Sequence, residues 1–177
     1  GNAISSRGNV SIIGGTISAT GTAISGDSVT VEEGKVEATG DNGKAISGKS
    51  TITIKGGTVS ANGNNGTVIY VENYMGSTIT ISGGVVSSKG TAIYSSNRKG
   101  TSAITVEGGL VFGRGSKIAN NNIRDYNVAI YMTSGTPAVN SPGTVIAWNK
   151  TAGNKLYGLN ADTDLTSLPE STAKWSR

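Results

Sequence analysis

The chain has 177 residues, neither cysteine nor histidine, and a net charge of +4 from 15 basic and 11 acidic residues. That length suits one domain with a sizeable core, and the missing residue types exclude disulfides, thiolate chemistry and any metal site that needs Cys or His. The charge is spread thinly, with "NRKG" at 97–100 as its densest basic patch, whereas nucleic-acid binders gather Lys and Arg on one face. No apolar run reaches the roughly 20 residues of a membrane-spanning helix, so neither nucleic-acid binding nor membrane insertion is expected. Glycine, at 27 residues, stands beside abundant Val, Ile and Thr, a mixture that predicts many short strands joined by tight turns.

Taken in chain order, the first predicted strand is "NAIS" at 2–5. Next comes an alternating stretch with Val10 and Ile12, a glycine corner at Gly14-Gly15, and a third strand with Ile17 and Ala19. The same three phrases then recur. "TAIS" leads to Val29/Val31, the corner Glu33-Gly34 and Val36/Ala38. "KAIS" leads to Ile52/Ile54, Gly56-Gly57 and Val59/Ala61. "TVIY" leads to Ile79/Ile81, Gly83-Gly84 and Val86/Ser88, and "TAIY" to Ile104/Val106, Gly108-Gly109 and Val111/Gly113. The leading phrases begin their apolar pairs at Ala3, Ala23, Ala45, Val68 and Ala92, a repeat of 20 to 24 residues. A sixth copy, "VAIY" at Ala129, follows an insertion at 112–128, and "TVIA" at Val145 reads as a seventh.

Alternation with period two points one set of side chains inward and the other out. Three short strands per unit of this length, coiled repeatedly, predict an all-β fold: a right-handed parallel β-helix of about six to seven turns. One turn cannot bury its own apolar face, but a stack of near-copies can. The predicted division is a β-helix over 1–147 and a small hairpin-like cap or linker over 148–177. Trp148, Tyr157, Leu159, Leu165, Leu168 and Trp175 lie in that tail, and an open solenoid end needs covering. The chain starts inside a repeat, which predicts an upstream segment; the lack of a visible leader then says nothing about compartment.

The pattern "TITIxGGTVSAxGxxGxAI" resembles the Gly/Thr-rich right-handed β-helix repeats of large surface proteins from gut Gram-positive bacteria, and more broadly the pectin-lyase-like superfamily. The likeness covers about residues 1–147, and the tail is similar to the short closing segments of such proteins. It implies an extracellular, cell-surface or cell-wall location and a structural or adhesive role, with glycans or host and bacterial surface proteins as partners. It also brings polysaccharide lyases and glycosidases to mind, but fold does not fix function.

Those enzymes need clustered carboxylates, and the aspartates are only Asp27, Asp41, Asp125, Asp162 and Asp164. Glu32, Glu33 and Glu37 are the one local acidic cluster, and aligning the repeats sets Glu32 beside Lys55 as a surface ion pair. No catalytic residues, metal site or cofactor are therefore expected, and the chain is expected to be a non-enzymatic monomer. Two outward ladders remain. One is Ser11, Thr30, Thr53, Thr80 and Thr105, with Ser28, Thr51 and Thr78 beside it. It resembles the Thr arrays of insect ice-binding proteins, although Thr also suits a solvent-facing strand and Asn9 and Ala103 break the second row. The other is Ser5, Ser25, Ser47, Tyr70, Tyr94 and Tyr131, with Tyr74 and Tyr126 in nearby turns. These five tyrosines are the candidate ligand-binding residues, as an aromatic strip for sugar rings or a partner protein. A stack that merely shields the core is the alternative.

Overall fold

The computed structural model describes residues 1–113, 129–135 and 137–147, together with the backbone of two strands at Lys155–Gly158 and Ala161–Asp164. Three six-stranded parallel sheets wrap around one core. The first sheet holds Asn2–Ser5, Thr22–Ser25, Lys44–Gly48, Thr67–Asn73, Thr91–Asn97 and Ile130–Met132. The second holds Asn9–Ile12, Ser28–Val31, Thr51–Ile54, Thr78–Ile81, Ala103–Val106 and Ala138–Val139. The third holds Thr16–Ala19, Lys35–Ala38, Thr58–Ala61, Val85–Ser88, Leu110–Gly113 and Thr144–Ala147. The chain visits the sheets in that order in every coil, the arrangement of a right-handed parallel β-helix. Farther along the chain, Lys155–Gly158 and Ala161–Asp164 pair antiparallel, Lys155 opposite Asp164. Trp148, Leu159, Leu165, Leu168 and Trp175 lie outside the described residues, as does Tyr126.

The repeat is the cause of the core. Val29, Ile52, Ile79 and Ile104 stack in register on the second sheet, and beside them run Val31, Ile54, Ile81 and Val106. All are buried. Val36, Val59, Val86 and Val111 form the matching column on the third sheet. β-Branched side chains at consecutive coils, one strand spacing of about 4.8 Å apart, line the interior as continuous columns. The backbone stays hydrogen-bonded through the corners as well. The amides of Glu32, Lys55, Ser82 and Glu107 donate to the carbonyls of Ile12, Val31, Ile54 and Ile81, each at 2.8 Å.

The corner glycines are required twice over. Gly34, Gly57, Gly84 and Gly109 sit at φ between +71° and +96°, a region that L side chains avoid. A Cβ at Gly57 would also stand 2.3 Å from the carbonyl oxygen of Gly34 in the coil below, and one at Gly109 2.4 Å from that of Gly84. The coils can stack this closely only because nothing projects there.

Two expectations are corrected. "TVIA" is not a seventh leading phrase: Thr144–Ala147 belongs to the third sheet, where Val145 pairs with Val111. Its burial alternates, with Val145 and Ala147 inside, whereas both members of the leading pair are buried, as in Ala45 and Ile46. The stack is accordingly six strands deep, about five full turns from the first strand of a sheet to its last.

Candidate functional site

The leading pair is buried from the second coil on, and in every coil the next residue along the strand turns to the opposite side. That residue is Ser5, Ser25 and Ser47 in the first three coils and Tyr70, Tyr94 and Tyr131 in the next three. Register then forces the rings together. Tyr70 and Tyr94 stack with centroids 5.0 Å apart and planes 4° from parallel; Tyr94 and Tyr131 stack at 4.9 Å and 11°. These separations are the strand spacing itself.

The stack uses up the ring faces. Tyr94 is covered on both sides, and the lower face of Tyr70 is closed by Lys44, whose Nζ stands 3.3 Å from the ring centroid. Lys44 substitutes a cation for a fourth ring, because Ser47 below Tyr70 is too short to reach. Tyr131 is only 9% exposed. What the ladder offers solvent is therefore a line of ring edges and hydroxyls. The Tyr70 hydroxyl donates to Glu72 Oε2 at 2.6 Å.

Burial, followed by the bond to Glu72, pushes the Tyr70 phenol well above its ordinary value of 10.0. Burial and then Tyr94 raise Tyr131. Lys44 moves the other way, lowered by desolvation against the opposing charge of Glu72. The two phenols hold their protons longer folded than unfolded. Their contribution is fully present below pH 10.0 and is lost as pH rises above it. Lys44 acts oppositely below 10.5, but the Tyr70 shift is the larger. Stability should therefore fall above about pH 10, and phenolate absorbance of the folded chain should lag that of the denatured chain. Coincident titration curves would contradict the packing described here.

Beyond the tyrosines the first sheet's fourth and fifth strands run on to Asn73 and Asn97, and the turns after them are lengthened. Under these turns Ser77, Ser95 and Ser102 are buried and mutually hydrogen-bonded, at 3.3, 2.7 and 2.6 Å. Asn97 Nδ2 donates to Ser102 Oγ. A groove of about 350 Å³ is lined by Lys49, Glu72, Asn73, Tyr74 and Arg98. Tyr74 is half exposed, and Lys99 Nζ stands 5.3 Å from its ring centroid.

Three other lysines are paired with carboxylates. Lys55 Nζ donates to Glu32 Oε1 at 2.9 Å, the pair expected from the repeat alignment. Lys35 meets Glu37 at 2.6 Å and Ser18 donates to the same carboxylate, and the Lys35 bond lowers its pKa. Lys49 meets Asp27 at 3.1 Å. Among the described residues no three acidic side chains converge as a metal site would require, and no helix is long and apolar enough to cross a membrane. The threonine ladder is in register from Ser11 to Thr105 and ends opposite Ala138.

Sequence reasoning found Tyr70, Tyr94 and Tyr131 by their place in the repeat. It missed Lys44, whose role follows from the step between Ser47 and Tyr70. It also missed Arg98 and Lys99 as neighbours of Tyr74, although the lengthened turns were a visible signal. The fold and these surfaces define a class: a parallel β-helix with polar outer faces, one aromatic ladder and one basic, aromatic turn cluster. Compared with known proteins, the chain matches no family model, no curated protein and no solved structure.

Proposed function

We propose that the chain is a non-catalytic repeat module of the extracellular or cell-surface space, with a structural and adhesive role. The observation that carries this reading is the outer surface. Coil after coil presents Ser and Thr in register, and Glu32, Glu37 and Asp27 each face a lysine rather than one another. Paired carboxylates of a glycosidase stand about 5–10 Å apart around a shared substrate position, and ion pairs with lysine serve instead to hold a solvated face. Each further coil adds about 4.8 Å to such a stack, which suits a spacer that presents a binding surface away from an anchor.

The test is protease shaving of intact cells that produce the protein. Peptides from the coils should be released before lysis, and purified chain should liberate no reducing or unsaturated ends from uronate polymers. Peptides recovered only after lysis, or turnover of any such polymer, would overturn the reading. A second reading, glycan binding along the tyrosine strip, draws on the row of phenol edges about 5 Å apart. Tyr94→Phe keeps the stack and removes one hydroxyl, so glycan-array signal that survives it would count against that strip.

A further inference from the structure

The geometry points to the turn cluster of Tyr74, Met75, Arg98 and Lys99 as a docking site for an acidic peptide segment that carries an apolar side chain. This rests on the adhesive reading above and names the place where adhesion occurs. Tyr74 and Met75 are 50% and 74% exposed. Adjacent apolar side chains left this open normally fold back against the surface, yet here the backbone is braced. Asn73 Oδ1 accepts from the amides of Tyr74 at 2.6 Å and Met75 at 3.4 Å, and Asn73 Nδ2 donates to the Gly76 carbonyl at 3.0 Å. The amides of Lys99 and Gly100 donate to the Tyr74 carbonyl at 2.9 and 3.2 Å. Gly76, at φ +115°, lies so close to the next coil that a Cβ would meet the Thr101 carbonyl oxygen at 2.6 Å. The tip is thus fixed before any partner arrives, which reduces the ordering cost of binding.

Its composition is that of an interface centre. Tyr, Met and Arg are enriched where proteins meet, and Tyr and Arg dominate binding energy there. The charge is positive on balance. Lys49 is matched by Asp27; Glu72, which accepts from the neutral Tyr70 hydroxyl, keeps one negative charge at the groove, against Arg98 and Lys99, which form no ion pair among the described residues. A partner with Asp or Glu flanking Leu, Ile or Phe complements both features, with the apolar side chain against Tyr74 and Met75 and the carboxylates on the cations. A sugar ring fits less well. The exposed Met75 thioether offers a hydroxyl-rich ligand only a weak acceptor, whereas it suits an apolar side chain.

Selection from a random dodecapeptide library on the immobilised intact chain, then fluorescence anisotropy with the enriched peptide, tests this. Enriched sequences should place acids beside an aliphatic or aromatic residue. Affinity should fall about tenfold or more in Arg98→Glu/Lys99→Glu, and likewise in Tyr74→Ala/Met75→Ala. Thr53→Ala, on the outer face of the second sheet, should bind as the parent does. Tyr74, Met75, Arg98 and Lys99 are at the surface of braced turns, and matching melting curves would certify the fold of each variant. Enrichment without acids, or affinity that survives both double variants, would overturn the site. So would tighter binding of heparin or polygalacturonate through the same residues. Coil peptides shaved from intact cells alongside a blank selection would leave the adhesive reading standing and remove this site from it.

Discussion

Ile54→Ala should lower the free energy of unfolding by about 2–5 kcal/mol. Ile54 is fully buried and lies in register between Val31 below and Ile81 above. Truncation removes three carbons from a column whose neighbours are fixed by their own sheet bonds. The strands above and below cannot close the gap without breaking register, so the cavity persists. Thr53→Ala, one residue away and facing out, should change stability by well under about 1 kcal/mol. Chemical denaturation of both variants measures the contrast. Equal losses would mean that the inside and outside of the second sheet have been exchanged.

The second large effect is Gly57→Ala. Two costs meet at this residue: a φ of +73° and a Cβ position 2.3 Å from the Gly34 carbonyl oxygen. Gly15 separates them. It has φ +80° in the first coil, and a Cβ there meets nothing within 4 Å. Gly15→Ala should therefore cost about 1–2 kcal/mol, the backbone cost alone. Gly57→Ala should cost about 4 kcal/mol or more, or prevent folding, because the obstacle is backbone and cannot rotate away. If both lose the same amount, the coils are not packed as closely at the corners as described.

The parts of this molecule that repeat were legible in the sequence, because repetition and structure have the same cause. Val31, Ile54 and Ile81 share a place in the phrase, so they share a column. Glu32 and Lys55 are neighbours for the same reason. The departures from the repeat were harder to read. "TVIA" imitates the leading phrase in letters, yet its side chains alternate, and only the pairing of Val145 with Val111 reveals the sheet it joins. The tyrosine ladder could be placed, but not the use of its faces. That depends on ring planes turning parallel at the strand spacing and on Lys44 reaching up from a different register position. The serine knot beneath the long turns brings Ser77 and Ser102, 25 residues apart, to 2.7 Å. Serine is so common in this chain that no composition signal marks those three.

The central claim is that each coil lies in register on the one before it, so that every surface feature, from the tyrosine ladder to the basic turn, follows from the stack. Cysteine pairing tests it most directly, because the chain has no cysteine of its own. Thr53 and Thr80 are register partners on adjacent coils, and Thr105 is one coil farther. Neighbouring parallel strands hold partner residues about 4.8 Å apart, within the Cα separation that a disulfide spans, roughly 4.4–6.8 Å. The chain carrying Thr53→Cys and Thr80→Cys should oxidise readily to an intramolecular disulfide. The chain carrying Thr53→Cys and Thr105→Cys, at about twice that spacing, should not. Equal oxidation of both pairs, or bond formation only in the distant one, would contradict the stack.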